Sequence, residues 1–196
     1  MYRLKDKFKE FRILLASNSP RRKALFGELG LPFKLVAIEG VDETYPAHLN
    51  EEEIPVYLAQ KKAKFFKDMI DEKTLVITAD TIVILGHEVL EKPSGRQEAV
   101  EMLRKLSGKR HRVITGVCIH TRDKEKTFHS VTEVFFSSLT DEDILYYVDN
   151  YRPLDKAGAY GIQEWIGYIG VERIEGSYFN VMGLPVYELY CSLTEY

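Results

Sequence analysis

The sequence predicts an α/β fold: a twisted mixed β-sheet with flanking helices. Three observations lead there. Strand-like and helix-like segments alternate through the first half of the chain, the pattern of helices laid on a sheet. The stretch TLVITADTIVIL (Thr74–Leu85) is rich in β-branched residues and reads as a buried strand. Two alternating segments, HRVITGVCIHT and TFHSVTEVFFSSL, then read as an antiparallel ribbon hinged at RDKEK. A length of 196 residues, 45% of them hydrophobic, suits one α/β domain over 1–196, or two small lobes sharing one sheet.

The elements follow in order. MYRLKDKFKEF is a short leading helix or ordered extension; it is charged and lacks the apolar centre of a signal peptide. The apolar run Ile13–Ala16 is a first strand. Ser19 and Pro20 read as the N-cap and first residue of a helix that carries Ala24, Leu25, Phe26 and Leu29 at helical spacing and stops at Gly30. FKLVAIEG (Phe33–Gly40) is a strand, and VDETYPAHLNEEE an acidic loop. A helix begins near Glu51–Ile54 and carries Leu58, Ala59, Ala63, Phe66 and Ile70 on one face. RQEAVEMLRKLSG is a helix closed by Gly108. DEDILYYVDNY is another, capped by Thr140. GYIGVERIEG is a strand, and PVYELYCSLTEY a final helix with Pro185 near its start.

Composition excludes several classes. A net charge of -3 argues against a general nucleic-acid binder, so any anion site is a local concentration of positive charge. Cys118 and Cys191 are far apart with no CxxC pairing, which argues against a zinc site or disulfide framework and for a reducing cytoplasm. No apolar segment is long enough to span a bilayer. There is no GxxxxGK[ST], GxGxxG, HExxH or GxSxG, and the histidines show no ligand spacing.

Five constellations carry chemistry. The first is Ser17, Ser19, Arg21 and Arg22. Arg21, Arg22 and Lys23 fall in the first turn of a helix, where a cation is unfavourable by about 0.3–1 kcal/mol. Free amides at a helix N-terminus and bidentate guanidinium groups together suit a phosphate; the alternative is that Ser19 only caps and the arginines face solvent or the acidic loop. The second is Asp80 with Thr78 and Thr81, a carboxylate inside an apolar strand pattern. If the strand ends at a cleft, Asp80 can hold Mg²⁺ or orient a water; the alternative is an Asp that ends the strand or caps a turn. The third is Glu43, a second oxygen ligand or a solvated loop residue. The fourth is Lys62 and Lys92: Lys92 sits in the rigid turn LEKPSG, whereas Lys62, on a lysine-rich helix, reads by default as part of a solvated face. The fifth is DKAGAYGIQEW with GSYFNVMGLP, whose glycines suggest tight turns and whose Gln163 amide can read a nucleobase edge or pack the loop.

Taken together these motifs resemble the Maf family of nucleotide pyrophosphatases. The pieces LLASNSPRRKALF, VDE, LAQKKAK, ITADTIV, LEKP, AVEMLRKLSGKRHRVITGV, DKAGAYGIQ and GSYFNVMGLP occur in the family's order from Ile13 to Tyr187. The resemblance implies two lobes around a cleft, similar to the inosine-triphosphatase fold. It implies hydrolysis of nucleoside triphosphates to monophosphate and pyrophosphate with a divalent cation (Mg²⁺, Mn²⁺ or Co²⁺). Asp80 matches the family's proton acceptor. Arg21, Thr81 and Gln163 match the positions tied to substrate choice, in the forms of the branch acting on dTTP and UTP, with modified pyrimidine triphosphates as further substrates. Ser17, Arg21, Arg22, Lys62, Thr81, Lys92 and Gln163 are then the substrate-binding set, and Glu43 and Asp80 the metal ligands. Glu91 stands where the family has glycine before Lys92. A homodimer rests on the resemblance alone. The competing expectation is a nucleotide-sensing regulator of cell division without turnover.

Overall fold

The computed structural model describes residues 2–196. The chain divides into two compact units. The first holds the residues up to Asp80 together with Thr115–Ser130 and Gly183–Tyr196; the second holds Thr81–Ile114 and Val131–Met182. Among the described residues seven strands pair, in the order Lys34–Val36, Arg12–Ala16, Thr74–Leu85, Arg110–His120, Glu125–Phe136 and Val171–Glu175, with Glu88–Leu90 attached to Thr74–Leu85 off this path. The predicted mixed sheet with flanking helices is thus observed.

In the first unit, α1 (Tyr2–Lys7) leads and buries Leu4. β1 (Arg12–Ala16) is buried over its last four residues, as a strand covered on both faces requires. It runs parallel to β2 (Lys34–Val36) on one side and to β3 (Thr74–Leu85) on the other, with Ala16 opposite Thr78. Parallel neighbours need crossovers. These are α2 (Pro20–Gly27) and α3 (Glu53–Phe65), the latter followed by a single 3₁₀ turn at Lys67–Met69. Ile70 lies beyond that turn in extended backbone, not on the helix face as predicted.

β2 is much shorter than the predicted Phe33–Gly40, for a specific reason. The Asn18 side chain donates to Ile38 O (2.6 Å) and accepts from Ile38 N (3.0 Å). One amide side chain thereby replaces the strand neighbour that Ile38 would otherwise need.

In the second unit, β4 (Glu88–Leu90) pairs antiparallel with the end of β3. α4 (Arg96–Leu106) buries Ala99, Val100, Met102, Leu103 and Leu106, the face its periodicity predicts. β5 (Arg110–His120) and β6 (Glu125–Phe136) are sheet neighbours and pass through both units. α5 (Asp141–Tyr151) opens with a full capping box between Thr140 and Asp143.

The predicted strand GYIGVERIEG is split. Its first part belongs to α6 (Trp165–Gly170), and only Val171–Glu175 forms β7. Gly167 N donates to Glu164 O at 2.8 Å, and a Cβ on Gly167 would lie 1.8 Å from Ile162 O; the missing side chain lets the helical turn close there. α7 (Tyr178–Val181) and, back in the first unit, α8 (Val186–Glu195) complete the chain. Buried apolar residues from Val83 to Ile166 form one continuous core within the second unit.

Candidate active site

The site in the first unit is set by how closely α3 lies on the sheet. Ala59 and Ala63 pack on Cys118 of β5, all three fully buried. Gly116 of β5 lies under the helix start, where a Cβ would come within 2.3 Å of Pro55 C and Val56 N. Small residues on both surfaces permit this approach. Two matched periods then meet. Thr78 and Asp80 share one face of β3, since strand side chains alternate, and Ala59 and Lys62 sit one helical turn apart. Thr78 Oγ1 donates to Ala59 O at 2.6 Å, and Lys62 Nζ donates to Asp80 Oδ1.

Lys62 and Asp80 are only 5% and 8% exposed. The Lys62 ammonium also pairs with Glu43 Oε1 at 2.7 Å. So two carboxylates from distant segments, a loop and a strand, converge on one buried nitrogen. The solvated face expected for Lys62 is therefore not observed. The reason is tertiary: the helix face carrying Lys62 is the face that meets β3. Asp80 lies within β3, inside the apolar strand as read, and does not end it.

β3 runs past the end of β1, and the turn into α2 fills the step. Ser17, buried just beyond Ala16, accepts from Ser19 N at 3.1 Å. Ser19 caps α2 by accepting from Arg22 N. Arg22 then folds back from the first turn. Its Nη1 donates to Ala79 O (2.9 Å), one residue beyond the last β1–β3 pair, and its Nε donates to Gly183 O (2.7 Å). Burial pulls the Arg22 guanidinium below its ordinary value; Asp80 and Glu43 pull it back up, while Arg21 adds to the lowering. Arg21, Arg22, Asp80 and Glu43 therefore share one electrostatic neighbourhood. Two Arg22 donors are thus committed to main-chain carbonyls, rather than the whole guanidinium being turned outward.

The loop carrying Glu43 is tied down by residues the sequence reading passed over. Asp42 accepts from Thr44 N (2.9 Å), Thr44 Oγ1 (2.6 Å) and Lys61 Nζ (2.9 Å). Lys61 Nζ also donates to Thr44 O at 3.0 Å. Hydrogen bonds from Thr44 and Lys61 hold the Asp42 carboxyl well below the usual carboxylate range. The available signal was a pair of adjacent lysines, Lys61-Lys62, in a chain that also carries adjacent acids, Asp42-Glu43.

Thr81, Lys92 and Gln163 belong to the second unit. Thr81 continues β3 and Lys92 is exposed after β4. Glu91, the departure from the family pattern, is exposed and its carbonyl accepts from Gly158 N at 3.2 Å. Gln163 Nε2 donates to Glu164 Oε1 at 3.5 Å, and its buried Oε1 has no hydrogen-bond partner among the described residues. Glu164 is itself held by Lys156 Nζ (3.1 Å) and by the Tyr147 hydroxyl, which accepts from Gly161 N (3.0 Å). Tyr147, Lys156 and Glu164 lay outside the sequence-predicted set; a buried lysine and tyrosine look like ordinary helix and loop residues until they are folded together.

Among the described residues no three His, Cys, Asp or Glu side chains gather into a metal site. Asp80 and Glu43 do converge on one point. A hard cation such as Mg²⁺ takes one or two protein carboxylates and completes its shell from water and substrate phosphates. The donor set fits a divalent ion bound in that way.

Comparison with known proteins agrees in family and fold. Residues 12–196 match the family described as Maf-like protein. A dTTP/UTP pyrophosphatase of Bacteroides fragilis is 55% identical over 94% of this chain and 96% of its own length. One of Porphyromonas gingivalis is 50% identical over 97% of each chain. The solved structure of a HAM1 protein from Coxiella burnetii shares the fold at a TM-score of 0.50 and 15% identity, covering 95% of this chain and all of its own.

Proposed function

The chain belongs to the Maf-like family, and we propose that it is a nucleoside triphosphate pyrophosphatase, hydrolysing dTTP and UTP to the monophosphate and pyrophosphate. Relatives at 50–55% identity over nearly their whole length carry that name. The observation that carries the reading is the buried Lys62 ammonium bridging Asp80 and Glu43 beside Arg22. Carboxylates for water activation and cations for a polyphosphate lie within one small region of the first unit.

The chain's own groups divide the work. The Arg21 guanidinium, at the start of α2, takes phosphate oxygens. Ser17 Oγ already accepts from Ser19 N, so its proton is directed to an acceptor such as a phosphate oxygen. Arg22, fixed by Ala79 O and Gly183 O, adds positive potential from a set position. Lys62 steers charge on the scissile anhydride, and Lys92 is the second lysine of the proposed substrate-binding set. Asp80 accepts the proton of the water that attacks the α-phosphorus as pyrophosphate leaves. A divalent metal held by Asp80 and Glu43 supplies charge neutralisation on the phosphates. Arg21, Thr81 and Gln163 set the choice of nucleotide, modified pyrimidines included. We place the enzyme in the cytoplasm, since both cysteines are free as a reducing compartment keeps them. The homodimer implied by the family resemblance is tested by sedimentation.

The test is a nucleotide panel with pyrophosphate detection, run with Mg²⁺, on wild type and Asp80→Asn. Turnover of dTTP and UTP above the other nucleotides is expected, and a loss of about 10²–10⁴-fold in Asp80→Asn, the range a general base supplies. Tight nucleotide binding without product supports a sensor instead. Near-normal turnover in Asp80→Asn overturns the assignment of the base.

A further inference from the structure

We propose that Lys61 is a positioning residue for the reaction: it clamps the loop on both sides of Glu43 and so brings the Glu43 carboxylate to Lys62 and Asp80. The inference rests on the reading of Glu43 as part of the catalytic centre and goes beyond it in saying what puts Glu43 there.

The loop has no regular structure of its own. No helix or strand covers residues 37–52, and the Glu43 side chain is 48% exposed. The loop backbone gives the carboxylate no regular support, and a half-exposed glutamate has many rotamers open to it. Two adjacent helix residues tie it down. Lys61 holds Asp42 (2.9 Å) and the carbonyl of Thr44 (3.0 Å), the residues before and after Glu43. Lys62 holds Glu43 itself (2.7 Å). Three consecutive loop residues are thereby tied to two consecutive lysines of α3.

Asp42 completes the clamp by folding the loop on itself, accepting from both the amide and the hydroxyl of Thr44. This Asx turn leaves the Glu43 side chain projecting from a closed loop rather than from a free chain. Exposed ion pairs contribute little to global stability. The worth of this one lies elsewhere, since a misplacement of about 1 Å at a reacting group can cost about a hundredfold in rate.

The experiment is a double-mutant cycle on dTTP turnover. Lys61→Met is expected to lower kcat roughly tenfold and leave KM within about twofold, the mark of an interaction felt in the transition state. Glu43→Gln is expected to lower kcat further. The double variant is expected to match Glu43→Gln alone, because a residue acting through Glu43 has nothing left to position. Lys61→Arg, which reaches the same two acceptors, is expected to retain activity. If Lys61→Met does not fold, Asp42→Asn, which keeps the Thr44 contacts and loses the charge, takes its place in the cycle. Wild-type kcat in the Lys61 or Asp42 variant, with Glu43→Gln impaired, overturns the clamp alone. So does a further independent loss in the double variant, since a merely structural lysine would act additively. Wild-type turnover in Glu43→Gln removes the reading of Glu43 and the clamp with it.

Discussion

Replacing Arg22 by lysine separates two explanations for cations at the start of α2. If the residue is needed only for its charge, lysine serves equally well. The geometry says otherwise. Arg22 Nε reaches Gly183 O at 2.7 Å and Nη1 reaches Ala79 O at 2.9 Å, two acceptors on different segments that the planar guanidinium spans at once. An ammonium is a single point and satisfies one of them well. A hydrogen bond from a charged donor contributes about 1.5–3 kcal/mol, so Arg22→Lys is expected to lose about that much stability. Arg22→Met, which loses both bonds and also leaves Asp80 without this neighbouring cation, is expected to lose more, in the range of about 3–5 kcal/mol seen when a buried pair is broken. With a urea dependence of about 2 kcal/mol/M, the lysine variant's unfolding midpoint falls by about 1 M. The assay is urea unfolding followed by far-ultraviolet circular dichroism at neutral pH. A midpoint for Arg22→Lys within about 0.2 M of wild type, or a methionine variant more stable than the lysine one, refutes the two-carbonyl clamp.

Further outcomes follow from single sites. Gly116→Ala places a methyl within 2.3 Å of the Pro55 and Val56 backbone; it is expected to push α3 off the sheet, costing about 1–3 kcal/mol or more by overpacking and lowering turnover through Lys62, and unchanged melting would contradict the close helix–sheet approach. His111 is buried against Tyr160 and Phe136, and its pKa is lowered by desolvation from 6.5 to about 4. The unfolded chain therefore takes up this proton near pH 6.5 while the folded protein resists until about pH 4, so stability is full above the first value and declines by up to about 3 kcal/mol between them; His111→Gln is expected to flatten that part of the stability–pH curve, and an unaltered slope counts against it. Divalent-ion binding to the free protein is expected to be weak, because the Lys62 ammonium already sits between Asp80 and Glu43, and to tighten when a non-hydrolysable nucleotide is added; Mn²⁺ binding that is tight without nucleotide and abolished by Asp80→Asn would show the opposite order.

Local signals carried much of the fold. Thr74–Leu85 was readable to the residue because its apolar, β-branched run has no competing period. Thr140 and Ser19 were readable as caps because their partners lie within three residues. Asp80 stood out as a carboxylate in an apolar strand. What escaped depends on partners distant in sequence. β2 was read too long because the Asn18 amide, 20 residues away, substitutes for the ladder at Ile38. Lys62 was read from its residues as solvated because its partners, Glu43 and Asp80, lie on other segments. Periodicity can say which face of a helix is apolar; it cannot say that a lysine on that face is buried with two acids.

The charges around Asp80 answer why two arginines stand at the unfavourable end of a helix. The dipole penalty is about 0.3–1 kcal/mol for each, smaller than one charge-assisted bond, and Arg22 makes two such bonds to carbonyls. The placement is therefore favourable at Arg22 before any ligand arrives. The surplus is a different matter. Arg21, Arg22 and Lys62 set three positive charges against the two of Asp80 and Glu43, leaving one positive charge in a chain whose formal net charge is -3. A site of that sign on a molecule of the other attracts an anion locally while the rest of the surface repels it. The proposed triphosphate substrate carries more negative charge than this surplus cancels, and a divalent cation travelling with the nucleotide would offset the remainder. Were such an ion bound as proposed, Asp80 and Glu43 would be its oxygen donors, and these are the two acids that pair with Lys62.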